Sequence, residues 1–397
     1  MFAKLIMVTA VNNNKFYIMQ SNPDNTSFTA TYGRVGTAGQ CAVYPMSKWN
    51  QKYNEKIRKG YADVTAMVET AKKANPADEF KPIEDADIAE VIDFLGEVSR
   101  QILAKNYSVS LDAVTPEMVD EAQYILNRLA AQRDKWEFNN VLLQLFQALP
   151  REMSQVQGYM MSDYSEKAKI ISREQDLLDV MRGQIVRTTA KALKKTADSD
   201  QTILDAMGVS MRPVSDREAS DIKRHLGRQS EHYYRAWRVV NDRTQKAFDN
   251  YMEANASCER KMLWHGSKNE NWLNILKTGL VLNPNAVATG KMFGMGIYFA
   301  PSASKSVGYT SLTGSYWAGG TSSRAFMAVM DVACGKPFDI YDNPYAWSGL
   351  NAQNLDRHCK GANYVFAHKD KGMLRNDELV VYNEAQVTIH YLVELKA

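Results

Sequence analysis

The chain has only four cysteines in 397 residues (Cys41, Cys258, Cys334 and Cys359), scattered and without a CxxC pair. That argues against a disulfide framework and against a zinc finger, leaving reduced intracellular thiols as the expectation. No apolar run approaches the ~18 residues a membrane span needs, so no membrane association is expected. The N-terminal stretch Met1–Val8 carries one charge and alternates loosely, which reads as a first strand and not as a signal peptide. Internal repeats and low-complexity tracts are missing too. No GxGxxG follows a strand and opens a helix; Gly290-Lys291-Met292-Phe293-Gly294-Met295-Gly296 fits neither the dinucleotide nor the P-loop pattern. No metal site is evident.

What is present is uneven. The net charge is +3, yet residues 1–75 hold ten Lys/Arg against four Asp/Glu, and residues 76–110 hold three against eight. A basic module followed by an acidic one suggests different partners for different parts of the chain, although solvated faces would look the same. Residues 1–75 show strand signals at Ala3–Val11, Lys15–Gln20 and Phe28–Tyr32, with turn chemistry at Asn12-Asn13-Asn14 and Ser21–Asn25. A basic helix is expected over Ser47–Arg58, with Gly60 just beyond its end. Ala74–Asp78 reads as a linker.

Helical periodicity then runs for more than 100 residues. Ile88, Val91, Ile92, Leu95, Val98 and Ile102 recur at 3–4 spacing, and Thr115-Pro116 is an N-cap followed by proline. Several helices with short connections read as a bundle. From about Ser210 short strand-like runs appear without regular βα alternation, which predicts an α+β domain with a mixed or antiparallel sheet. The expected domains are therefore residues 1–75, 80–200 and 210–397.

Three patterns in the last region stand out. They are Leu263-Trp264-His265-Gly266-Ser267; Gly290–Ala300 followed by Ser304-Lys305-Ser306-Val307-Gly308-Tyr309; and Asn376-Asp377-Glu378-Leu379-Val380-Val381-Tyr382. Singly each has a bland reading: a strand-end histidine, a core aromatic, a solvated carboxylate. Together, in this order, they closely resemble the histidine–tyrosine–glutamate signature of the poly(ADP-ribose) polymerases. Upstream, Tyr32-Gly33-Arg34-Val35-Gly36 resembles the core of a WGR domain, with tyrosine in the tryptophan position, and the helical stretch resembles that family's regulatory domain.

The resemblance implies an NAD⁺-consuming ADP-ribosyltransferase. Cleaving the nicotinamide–ribose bond builds positive charge on the sugar, as in glycoside hydrolysis, and a carboxylate there stabilises the cation and handles an incoming hydroxyl. By carry-over Glu378 takes that role, with Asp377 second. His265 orients the adenosine-side ribose, Gly266 and Ser306 hold the nicotinamide amide, and Tyr309 and Tyr298 form the walls. Ser267 and Asn271 match adenosine-side polar positions, and Lys305 is placed to support Glu378 or the acceptor. The sequence departs from the family pattern at Val281, Lys291 and Met295.

For the basic module the resemblance implies DNA breaks or ends as partners. Arg34, Lys48, Lys52, Lys56, Arg58 and Lys59 are the candidate backbone contacts, and Tyr32 is an aromatic surface for packing or stacking. Asp179 matches an acidic regulatory position facing the NAD⁺ pocket. The whole implies polymer formation on protein acceptors, the chain itself included, or on DNA, within the DNA damage response and repair. An intracellular setting is expected, bacterial cytoplasm or nucleus.

Overall fold

A computed structural model describes residues 1–65, 80–107, 114–193, 201–282, 292–341, 344–369 and 374–397. The expected linker Ala74–Asp78 and the residues Gly290 and Lys291 lie outside these. The described chain divides into two compact units, one of residues 1–65, 100–107 and 114–193, the other of residues 80–99, 201–282, 292–341, 344–369 and 374–397.

The first unit opens with a five-stranded antiparallel sheet in the order β4-β3-β2-β1-β5. Its strands are β1 (Phe2–Thr9), β2 (Asn13–Ser21), β3 (Ser27–Arg34), β4 (Gln40–Pro45) and β5 (Ala62–Asp63). The turns fall on the expected asparagines, where Asn12 and Asn25 adopt φ of 64° and 54°, a region asparagine tolerates better than most residues. Helix α1 (Trp49–Arg58) seals one face by setting Trp49 edge-on against Phe28, ring centroids 5.1 Å apart.

The other face of that sheet shares its core with a helical bundle. Ile6, Val8 and Val35 join Leu126, Phe138, Phe146, Leu178 and Met181 in one buried cluster. The bundle is built from the end of α2 (Ala86–Asn106), with α3 (Pro116–Ala131), α4 (Lys135–Ala148) and α5 (Lys167–Leu193). Helix α3 starts where the sequence predicts, with Thr115 accepting from the Met118 N–H at 3.3 Å and Pro116 in the first turn. At the heart of the unit Arg151 and Glu174 form an ion pair with 2% of either side chain exposed.

Residues 80–99 group with the C-terminal part of the chain, whereas the sequence expectation kept all of 80–200 together. The reason is a specific docking of the first turns of α2. Glu90 pairs with both Arg235 and Arg324, and these arginines also clamp the fully buried Glu394. Phe94 lies 6.0 Å from Phe326 and under the Arg324 guanidinium.

The second unit carries two sheets. The larger is antiparallel, in the order β6-β7-β14-β10-β8, from β6 (Val209–Pro213), β7 (Tyr233–Asn241), β8 (Glu259–Gly266), β10 (Arg324–Cys334) and β14 (Val387–Lys396). The smaller is mixed, β11-β12-β13-β9, from β9 (Ile297–Phe299), β11 (Lys336–Ile340), β12 (Ala362–Ala367) and β13 (Glu378–Val381), with only β11 and β12 parallel. Among the described residues the sheets are stitched by one bridge, in which Trp264 and Ala300 exchange both backbone hydrogen bonds at 3.0 Å. This bridge sets the end of β8 beside the end of β9, and so His265 beside Tyr298. No described helix is long and apolar enough to cross a membrane.

Candidate active site

His265 is the next-to-last residue of β8, opposite Ala328 of β10. Its Nδ1 lies 3.1 Å from the Tyr298 carbonyl oxygen, which can only accept, so Nδ1 carries the proton and Nε2 is an acceptor. Burial lowers its pKa, partly offset by that hydrogen bond, so the ring is neutral near pH 7. Trp272 and Phe299 pack edge-on against it, at 6.5 and 6.0 Å.

Gly266 follows for a steric reason. A Cβ built there would stand 1.9 Å from the Ser306 carbonyl oxygen, so only glycine lets the helix Ala303–Val307 approach β8. That contact brings buried Ser306 to the site, with Lys305 before it. The glycines of the 292–300 stretch answer the same demand. At Gly294 a Cβ would meet the Leu350 carbonyl oxygen at 2.0 Å, and at Gly296 the Val380 side chain at 2.2 Å. They serve close packing of chain segments.

Tyr298, opposite Val380 of β13, accepts from the Phe293 N–H at 3.0 Å and donates to the Gly294 carbonyl at 2.9 Å. Tyr382 donates to the Phe293 carbonyl at 2.6 Å. Burial pushes both phenols well above the usual tyrosine range. They are therefore uncharged pins that hold the segment before β9.

Glu378 opens β13 opposite Ala367 and is buried. Its carboxylate is ion-paired with the Lys305 ammonium. Burial pulls the Lys305 pKa down, against the opposing pull of Glu378. Tyr309 lies near the same carboxylate, its phenol pushed up to about 12 by burial and by the Glu378 charge. Asp377 is committed elsewhere, accepting the Lys369 N–H at 2.9 Å. Ser267 Oγ accepts from Asn271 Nδ2 at 3.0 Å, while the buried Asn271 Oδ1 has no hydrogen-bond partner among the described residues. A buried amide oxygen without a donor costs free energy unless something supplies one, and a substrate hydroxyl or amine would.

Chemically the site offers a buried carboxylate beside a cation, a neutral imidazole, a glycine-lined approach, and a half-exposed aromatic ring. This set suits stabilisation of an oxocarbenium ion at a glycosidic carbon. Among the described residues no three His, Cys, Asp or Glu side chains gather as a metal site.

Residues 216–397 match the poly(ADP-ribose) polymerase catalytic domain, and residues 3–67 match the WGR domain. The chain thus joins a WGR domain to the catalytic domain of the poly(ADP-ribose) polymerases. It is 23% identical to poly(ADP-ribose) polymerase 2 of Arabidopsis thaliana and 23% identical to the human enzyme of that name. Each alignment covers 97% of this chain, with 71% and 77% of the respective relative. Over 48% of the chain it is 29% identical to protein 101L of Invertebrate iridescent virus 6, covering 80% of that protein. The protein is thus an NAD⁺ ADP-ribosyltransferase, with NAD⁺ as its substrate.

The residues expected to meet DNA sit differently from one another. Arg34 is engaged within its unit, its guanidinium donating to Asn12 O and Oδ1 and to the Met153 and Ser154 carbonyls at 2.7–3.1 Å. Tyr32 is half-buried and stacks on Tyr17 at 5.8 Å. Lys52 and Lys59 flank Glu55 at 3.7 and 2.6 Å, and Lys56 lies over the Tyr17 and Tyr61 rings. Lys48 and Arg58 are exposed on the same short segment. Asp179, in α5, accepts from Gln175 Nε2 at 3.0 Å. It belongs to the first unit, and Glu378 belongs to the second.

Sequence reasoning passed over Trp317, Tyr316 and Arg375, which stand in a row beside Tyr309. The only signal was an aromatic pair inside the polar stretch Thr313–Ser323.

Proposed function

We propose that the protein is a DNA-break-activated poly(ADP-ribose) polymerase that transfers ADP-ribose from NAD⁺ to protein acceptors, or to DNA, and releases nicotinamide. The observation that carries this reading is the Lys305–Glu378 ion pair between Tyr309 and the His265–Tyr298 junction.

In the proposed chemistry the C1′–N bond of NAD⁺ breaks and nicotinamide leaves with the electron pair. Glu378 faces the positive charge that builds on the ribose. The acceptor hydroxyl oxygen bonds to C1′ and its proton passes to the Glu378 carboxylate. Lys305 holds that carboxylate in place. His265 Nε2 accepts a hydroxyl of the adenosine-side ribose, and Asn271 with Ser267 receives polar groups of the same half. Gly266 and Ser306 hold the nicotinamide amide, while Tyr309 stacks on its ring and Tyr298 keeps the opposite wall in place.

Control is assigned to the first unit. Lys48, Lys52, Lys56, Arg58 and Lys59 supply phosphate contacts without reading sequence. Arg34, bound to two carbonyls of the segment after α4, ties the basic module to the helices. DNA binding then shifts the helical region, with Asp179, away from a form that restrains the site, which requires that DNA bind one form better than the other.

The test is nicotinamide release from NAD⁺ by wild type and Glu378→Gln, with and without nicked DNA. Release stimulated by DNA and lost in the variant supports the reading. DNA-indifferent release would remove the control, and full activity in the variant would remove the catalytic assignment.

A further inference from the structure

Tyr298 and Tyr309 are held in their places by different means. Two hydrogen bonds, at 3.0 and 2.9 Å, pin the Tyr298 phenol. The Tyr309 phenol has none to a described residue, and its residue is 42% exposed. A tyrosine so placed turns about its two side-chain bonds unless packing stops it.

Trp317 supplies that packing. Its indole lies parallel to the Tyr309 ring, centroids 6.1 Å apart at an interplanar angle of 17°. The indole is itself fixed through the main chain just before Tyr309. The Trp317 and Ala318 N–H groups both donate to the Gly308 carbonyl, at 2.8 and 2.9 Å. A Cβ on Gly308 would stand 2.9 Å from Trp317 Cδ1, so glycine at that position lets the indole lie close against the backbone. Tyr316 meets the indole edge-on at 4.6 Å. Behind them the loop closes on itself. Ser315 Oγ donates to the Thr310 carbonyl and accepts the Gly320 N–H, each at 2.8 Å, and the Ser322 N–H donates to the Ser311 carbonyl at 2.9 Å. Trp317 remains 57% exposed, so burial in a core does not account for an indole held this firmly.

We propose that Trp317 is a positioning residue for the NAD⁺ donor: it covers one face of Tyr309 and sets that ring's plane, and the nicotinamide ring stacks on the other face. The proposal rests on the reading of Tyr309 as the stacking wall. Aromatic pairs depend on ring plane as well as on distance, and a wall whose plane is set in advance loses less freedom when the ligand arrives. The pyridinium of NAD⁺ is cationic and is drawn to an aromatic face. Such stacking exists before any bond breaks, so its loss falls on substrate binding more than on turnover.

The test uses the full chain with nicked DNA, as wild type, Trp317→Leu, Trp317→Phe, Tyr309→Leu and the double variant Trp317→Leu/Tyr309→Leu. NAD⁺ KM and kcat are measured by nicotinamide release, and nicotinamide Kd by calorimetry, which needs no turnover. Trp317→Leu should raise KM and Kd by about fivefold, with a smaller change in kcat, and Trp317→Phe should recover most of the loss. Because Trp317 acts through Tyr309, the double variant should bind no worse than Tyr309→Leu alone. Additive losses in the double variant would overturn the proposal, as would a Trp317→Leu chain that binds like wild type while Tyr309→Leu does not. A Tyr309→Leu chain with unchanged Kd would instead overturn the reading of Tyr309 as the wall, and the proposal with it. Normal nicotinamide binding that responds to Trp317, in a chain that releases no nicotinamide from NAD⁺, would uphold the positioning and count against the enzymatic reading alone.

Discussion

The Lys305 ammonium and the Glu378 carboxylate are ion-paired with 12% of either side chain exposed. One comes from the short helix that Gly266 admits against β8, the other from the first position of β13. A buried pair of this kind is costly to break from one side only, because the remaining charge is left without a partner. It therefore fixes the carboxylate in place beside the ammonium.

The pair gives a pH signature. Burial sets the Lys305 pKa below its usual value, so the ammonium loses its proton at a lower pH than the ~10.4 of a free lysine. The folded chain accordingly holds the Lys305 charge below that lowered pKa and loses the pair as pH rises through it. Transfer activity should fall on the alkaline side for this reason. Lys305→Arg, which stays charged, should move the alkaline limb of the kcat/KM profile to higher pH. A limb that does not move would assign it to another group.

Gly266→Ala should be more damaging than its size suggests. The added Cβ would fall 1.9 Å from the Ser306 carbonyl oxygen, and overpacking of this sort costs about 1–3 kcal/mol. A lower Tm and weaker NAD⁺ binding are expected together. Gly349→Ala, where no described residue lies within 4 Å, is the matched control. Equal Tm values for the two variants would show that the helix Ala303–Val307 shifts freely.

How far the site could be read in advance depended on whether function and local pattern coincide. His265 follows a string with strand signals, Tyr298 lies inside one and Glu378 opens one, and the structure joins the first two strands at the Trp264–Ala300 bridge and pairs the third with the second. The N-cap at Thr115 and the asparagine turns were legible for the same reason, since capping and positive φ are local properties. Arg34 was not legible as a tie, because its four acceptors include two carbonyls about 120 residues away in sequence. The docking of residues 80–99 on Arg235, Arg324 and Glu394 was hidden likewise, since periodicity reports that a helix is amphipathic but not what covers it.

Arg34 and Lys48 should behave differently when tested with DNA. Lys48→Gln removes an exposed charge, and should weaken binding uniformly across sequences and reduce the salt slope by about one. Arg34→Gln instead removes hydrogen bonds to the Met153 and Ser154 carbonyls, and should lower DNA stimulation more than DNA affinity. Affinity at several salt concentrations, with stimulated activity measured in parallel, separates the two. A reduced salt slope for Arg34→Gln would make it a phosphate contact instead.

Glu174→Gln should loosen the helical unit. It leaves Arg151 charged and buried without its carboxylate, and breaking a buried pair from one side costs about 3–5 kcal/mol. Under the proposed control the same change should raise activity measured without DNA. Thermal unfolding and basal nicotinamide release check the two halves. A destabilised variant that stays silent without DNA would contradict the helical restraint.

The most direct test of the central claim is the product pattern from labelled NAD⁺ with nicked DNA, for wild type beside Glu378→Gln. The account predicts a DNA-stimulated ladder of ADP-ribosylated products in wild type, absent from the variant. A ladder of equal intensity from Glu378→Gln would contradict it, since the reaction would then not need the carboxylate held by Lys305.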